Sequence, residues 1–206
     1  NTTSVYTAAE IFPMLPEKLS TDLTSLNENA DRLAIGIETV VDRNGDVTSF
    51  DVYRAMVHNY AKLAYDSVGE WLGGGNVPDK VKGNAVLSNQ LKLQRDASQR
   101  LKAERLRNGA LELETIEATP VAKDGRIVDL AVVHKNQARD LIEDFMIASN
   151  VAIAKFLEAR GRSGIRRVVR EPERWGRIVE LAKRYGTTLP DNPDSLALAN
   201  FLAERR

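Results

Sequence analysis

Arg32-Leu33-Ala34-Ile35-Gly36-Ile37-Glu38-Thr39-Val40-Val41-Asp42-Arg43-Asn44-Gly45-Asp46-Val47-Thr48-Ser49-Phe50-Asp51-Val52-Tyr53-Arg54-Ala55-Met56-Val57-His58 sets the fold class. Leu33, Ile35, Ile37, Thr39 and Val41 recur at every second position, so they line one face of a strand. Asp42–Asp46 then breaks the alternation, and Asn44-Gly45 is the residue pair that accepts the positive φ angles of a tight hairpin turn. The chain returns along Val47–His58, with Phe50, Val52 and Ala55 to Val57 as its apolar content. Two strands joined this closely must run antiparallel.

C-terminal to this hairpin the period changes. Leu63, Ala64, Val68, Trp71 and Leu72 fall on one helical stripe that Gly73-Gly74-Gly75 terminates. A long helix is predicted from about Pro78 to Arg107, with a thin apolar stripe under many Lys and Arg. Leu111–Thr119 and Arg126–Val133 read as a second hairpin around Lys123-Asp124-Gly125. Asn136–Gly161 follows as a second long helix and Arg166–Val169 as a short strand. Helices at Glu173–Tyr185 and Asp194–Glu204 close the series, the last capped by Asp194 or Ser195. N-terminal to the hairpin, residues 1–30 are irregular apart from a short helix started by Pro16 and running through Leu23. The order gives an α+β fold of antiparallel hairpins packed with long helices.

The balance of 29 basic and 29 acidic side chains hides alternating blocks. Residues 1–60 carry 4 basic and 9 acidic groups, and residues 77–107 carry 8 and 3. Residues 108–154 carry 4 and 8, and residues 155–184 carry 10 and 4. Basic helices of this size either track a phosphate backbone or are solvated faces. The absence of cysteine rules out disulfides, thiolate metal sites and a cysteine nucleophile, and fits a cytoplasmic setting. With His58 and His134 as the only histidines, a multi-histidine metal site is excluded. No apolar run reaches the roughly 20 residues of a membrane span, and no Walker-type or dinucleotide Gly-rich loop is present. The start at Asn1 without Met, and the end at Arg206 without a closing signal, are read as an internal piece of a longer product.

Two places carry candidate chemistry. Glu143-Asp144 opens the apolar run Phe145–Ala154, which suggests a helix packed on several sides. Carboxylates at the head of such a helix need partners: a ribose hydroxyl, a metal or an arginine. Otherwise they occupy the exposed side of the first turn, where the helix dipole favours acids. Tyr65, in Lys62-Leu63-Ala64-Tyr65-Asp66, is either a stacking platform for a base or sugar or the edge of a core. Tyr6 and Phe12 offer aromatic rings in the irregular opening.

Several segments, in order, resemble the catalytic domain of the ribonuclease II and ribonuclease R family. They are Ser4-Val5-Tyr6, Pro13-Met14-Leu15-Pro16-Glu17-Lys18-Leu19-Ser20 and Asp31-Arg32-Leu33-Ala34. Ala61-Lys62-Leu63-Ala64-Tyr65-Asp66, Arg105 to Leu113, and Ala138 to Leu157 follow. The resemblance implies that residues 1–206 are part of an RNB-type exoribonuclease domain. Such enzymes hydrolyse single-stranded RNA from the 3′ end to nucleoside 5′-monophosphates, with Mg²⁺. It implies that Tyr65 packs on the terminal nucleotide, that Glu143 binds its ribose and that Tyr6 lines the RNA path. The aromatic clamp of the family falls at Leu113, which cannot stack as a ring does. Asp144 stands where many members have Glu. The family's metal-binding aspartate cluster precedes the Ser-Val-Tyr segment, so no catalytic or metal residue is expected in this chain, and the chain alone is expected not to cleave RNA. Flanking oligonucleotide-binding domains are expected in the parent. The alternative is a catalytically inactive RNA-binding or adaptor protein that keeps the fold. A third possibility, a structural domain with solvated basic helices, predicts no affinity for RNA at low salt.

Overall fold

The computed structural model describes residues 3–7, 10–112, 117–133, 135–166 and 172–205. In chain order they form β1 (Val5–Tyr6), β2 (Ile11–Phe12), a π-helical turn (Lys18–Leu23), β3 (Asp31–Val41) and β4 (Val47–His58). Helices α1 (Tyr65–Leu72) and α2 (Ala85–Arg107) follow, then β5 (Glu117–Lys123) and β6 (Arg126–Val133). The helices α3 (Gln137–Ala159), α4 (Trp175–Arg184) and α5 (Ser195–Ala203) complete the order. The strands pair as three two-stranded sheets, β1-β2, β3-β4 and β5-β6. This is the expected α+β arrangement. The chain divides into two compact units. One holds Asn1–Glu38, Asp51–Arg95 and Thr115–Glu143; the other holds Thr39–Phe50, Asp96–Glu114 and Asp144–Arg206.

In the first unit, Val68 and Leu72 of α1 bury against Ala138 of α3, with Leu63 and Trp71 half-covered beside them. The start of α3 is held here by Asn136, whose Oδ1 accepts the backbone N–H groups of Ala138 (3.1 Å) and Arg139 (3.0 Å). Gly69 makes this approach possible. A Cβ at that position would lie 2.5 Å from Cγ of Asn136, so a mid-helix glycine exchanges helix propensity for close packing. The β5-β6 turn sits at Asp124-Gly125, both with positive φ (51° and 74°), as a two-residue hairpin requires.

In the second unit, Trp175, Val179, Ala182, Leu189, Leu198 and Phe201 form the core between α4 and α5. The Trp175 indole N–H donates to the Pro190 carbonyl at 2.9 Å, which satisfies the polar edge of a buried ring. Gly109 ends α2 with φ +82°, and Ala110 N–H reaches back to the Arg105 carbonyl at 2.9 Å. The tip of the β3-β4 hairpin rests on α2, where a Cβ on Gly45 would lie 2.1 Å from the Arg100 carbonyl oxygen. Asp194, not Ser195, caps α5 by accepting the Ala197 N–H at 2.9 Å.

Some expectations change. The helix predicted from Pro78 starts at Ala85, because Gly83 (φ +77°) breaks the backbone and Asn84 caps by accepting the Leu87 N–H. Residues 18–23 wind as a π-helical turn rather than an ordinary helix. The described part of the first strand of the second hairpin is Glu117–Lys123, and Leu111 and Glu112, expected in it, are not strand. The apolar run of α3 is not packed on several sides: Met146 is 60% and Val151 48% exposed. Leu33 (81%) and Ile35 (60%) are exposed too, so alternation named a shared face of β3 without saying what covers it. The short strand expected at Arg166–Val169 falls, beyond Arg166, outside the described residues.

Candidate RNA-binding site

Glu143 and Asp144 are not at the head of their helix. α3 begins at Gln137, so Glu143 closes its second turn and Asp144 opens the third, and the acidic residue of the first turn is Asp140. Consecutive helical side chains diverge by about 100°, and these two carboxylates have opposite surroundings. Asp144 is 2% exposed. Its Oδ2 accepts the Ser98 hydroxyl at 2.6 Å, and Oδ1 pairs with the Arg105 guanidinium. Of the partners considered from sequence, Asp144 therefore takes the arginine. Glu143 has a half-exposed carboxylate whose nearest cation is Lys135 Nζ at 3.8 Å. That separation makes a loose, solvated pair and leaves the oxygens open to a ligand.

Tyr65 is the first residue of α1 and is 45% exposed. It borders a cavity of about 310 Å³ with Leu63, Ala64, Val68, Leu91, Gln94, Ala138, Leu141 and Ile142. The lining is apolar except for Gln94 and the tyrosine hydroxyl, which suits a flat ring more than a charged group. The Arg139 guanidinium lies 5.1 Å from the Tyr65 ring centroid. Arg139 also reaches Asp66 Oδ1 at 3.5 Å. Because Arg139 precedes Glu143 by four residues, the two share a face of α3. Tyr65, Arg139, Lys135 and Glu143 thus belong to one neighbourhood within the first unit. Arg139 was missed in the sequence reading; its four-residue spacing from Glu143 was the available signal.

The other named residues are placed less fully. Tyr6 pairs with Ile11 in the β1-β2 ladder, and its backbone alone is described. Leu113 and His134 lie outside the described residues. His58 is structural: its Nδ1 sits 2.6 Å from Asp31 Oδ1, and its ring lies 4.6 Å from that of Tyr60. Glu28 is held below the ordinary glutamate range by the Lys80 ammonium, then by the Lys62 backbone N–H at 2.7 Å. Among the described residues, no three His, Asp or Glu side chains converge to hold a metal ion. The side chains described here do not fit a resident magnesium site. Nor, among those residues, is any helix long and apolar enough to cross a membrane.

A family model described as the RNB domain matches residues 1–204. The ribonuclease R of Thermotoga maritima is 31% identical over 173 residues, 83% of this chain and 24% of that relative. The Vibrio cholerae ribonuclease R is 34% identical over 171 residues, 82% of this chain and 20% of the relative. In structure, Mycoplasma genitalium ribonuclease R in complex with ribose-methylated single-stranded RNA superposes with a TM-score of 0.84 at 26% identity. That match covers 99% of this chain and 32% of the other. The chain spans about a quarter or less of the length of the curated relatives it matches. With the family model running across nearly all of its length, the chain belongs to the RNB domain family.

Proposed function

We propose that this chain forms part of the RNA channel and the 3′-terminal nucleotide pocket of a 3′→5′ exoribonuclease acting on single-stranded RNA. The observation that carries the reading is Tyr65, half-exposed at an apolar cavity, with Arg139 against its ring on the same face of α3 as the open Glu143 carboxylate. A tyrosine ring offers a stacking surface to any base or sugar. An ionised carboxylate accepts a hydrogen bond from a ribose 2′-hydroxyl, which deoxyribose lacks. Tyr6 and Leu113 belong to the same proposed channel, Leu113 as a position where stacking is replaced by aliphatic contact. Support also comes from the ribonuclease R relatives, one of which is solved with single-stranded RNA.

In this reading residues 1–206 are a partial RNB-type catalytic domain. Magnesium is held by carboxylates elsewhere in a longer parent, with oligonucleotide-binding domains beside it, in the cytoplasm. No step of hydrolysis is assigned to the residues described here; their work is to bind and orient the terminal nucleotide.

The test is equilibrium binding of the 206-residue protein to matched single-stranded oligonucleotides ending in ribose or deoxyribose. Affinity for RNA should fall steeply with added salt. Glu143→Gln should reduce the ribose-over-deoxyribose preference by about tenfold, the low end for a hydrogen bond to a charged group. An unchanged ratio removes Glu143 from the site. No salt-dependent binding at low salt removes the RNA reading altogether.

A further inference from the structure

We propose that Arg139 is a phosphate-contacting residue of this site, an assignment that rests on the terminal-nucleotide reading and extends it to the RNA backbone. Arg139 lies in the first turn of α3, four residues before Glu143, with its guanidinium against the Tyr65 ring. The Asn136 cap and the Gly69 contact fix where α3 starts relative to α1, and so hold the guanidinium beside the ring. Much of the ordering that a free arginine would undergo on binding is therefore already done.

The donors of Arg139 are largely unspent. Arginine carries five N–H groups. Among the described residues its one hydrogen-bond acceptor is Asp66 Oδ1, at 3.5 Å, the outer limit of such a bond. The Asp66 side chain is 87% exposed, so water screens this pair. Arg139 Nε is buried and without a partner. A planar fork with open donors matches two oxygens of a phosphodiester, and the ring beneath it leaves Tyr65 free to receive a base or sugar on its other side. The nearby carboxylates do not cancel this. Asp66 and Glu143 are water-exposed, and Glu143 is already faced by Lys135. Their repulsion of a phosphate is a screened surface effect.

A purely structural Arg139, one that only steadies Tyr65, would alter affinity without altering its dependence on salt. Each phosphate contact to a single strand contributes about 0.7 to the slope of log affinity against log salt. The experiment titrates the 206-residue protein with a 5′-labelled single-stranded oligoadenylate RNA at a series of KCl concentrations. Arg139→Gln should lower the magnitude of the slope by about 0.7, and Arg139→Lys should restore it. Arg139→Met, which keeps an apolar stem over the ring, should behave as Arg139→Gln does. With wild-type protein, an RNA whose last linkage is an uncharged methylphosphonate should lose the same increment, and Arg139→Gln should lose no more. An unchanged slope in both neutral variants overturns the proposal, as does a full further loss with the methylphosphonate RNA. If Tyr65→Ala weakens salt-dependent binding while the Arg139 slope stays unchanged, only the Arg139 assignment falls. If the wild-type protein fails to bind RNA at low salt, both readings fall.

Discussion

Glu143 and Asp144 are neighbours of the same chemistry in one helix, yet one is spent on structure and the other is open to solvent. Asp144 is sealed in the second unit by Ser98 and Arg105. Glu143, in the first unit, faces a half-exposed lysine at a distance that holds it only loosely. What separates them is a rotation of about 100° between consecutive helical positions. A buried carboxylate must be fully paired to be tolerated, whereas an exposed one is stabilised by water until a ligand replaces that water. Acidic type alone therefore says nothing about role; the partner set does.

The contrast is most exposed to refutation at Asp144. Asp144→Ala leaves the Arg105 guanidinium half-buried without its carboxylate, and should cost about 3–5 kcal/mol in urea unfolding. Glu143→Ala should stay within about 0.5 kcal/mol. Equal losses at the two positions would erase the distinction. Next in size is Gly69→Ala, which drives a methyl group into the Asn136 cap and should cost about 1–3 kcal/mol by overpacking. A stabilised Gly69→Ala protein would mean that α1 and α3 do not meet as described. Removing the cap with Asn136→Ala should cost about 1 kcal/mol. It should also loosen Arg139 against Tyr65, readable as a rise in tyrosine fluorescence quenching by iodide. An unaltered quenching constant would detach the cap from the ring.

The smallest effect concerns Glu28, whose carboxyl is held below its ordinary value of 4.5 by Lys80 and the Lys62 amide. A carboxyl with a lowered folded-state pKa contributes stability above its unfolded value, and that contribution is lost as pH falls through the folded one. Wild-type protein should accordingly lose slightly more stability than Glu28→Gln on acidification from neutral pH to well below 4.5. Parallel acid profiles of the two proteins would show that the Lys80 contact contributes nothing in solution.

Much of the fold was readable from local rules. Asn44-Gly45 and Asp124-Gly125 announced their hairpins because few residues adopt positive φ without strain, although in the first turn Gly45 alone takes it, whereas Asp124 and Gly125 both do. Asp194-Ser195 announced a cap, which Asp194 supplies, and Gly73 to Gly75 ended α1, for similarly local reasons. The candidate site was legible only as an expectation. Tyr65 and Glu143 stood out through family resemblance, and their surroundings in the first unit are compatible with that role. Arg139 escaped because its significance lies in the ring it rests on, supplied by a residue 74 positions earlier. Helix start points were misjudged where a single backbone feature, such as the positive φ of Gly83, overrode a favourable run of side chains.

The amino-acid order alone determined the α+β class, the hairpins, the two long helices and the membership of the RNB family. Each of these depends on spacing along the chain or on motifs that survive as strings. Which carboxylate is buried, which face of β3 is left bare and which cation lies against Tyr65 were decided only by tertiary structure. Those outcomes depend on distances between residues far apart in sequence. The same carboxylate is a structural anchor or a ligand-binding group according to whether arginine or water meets it there.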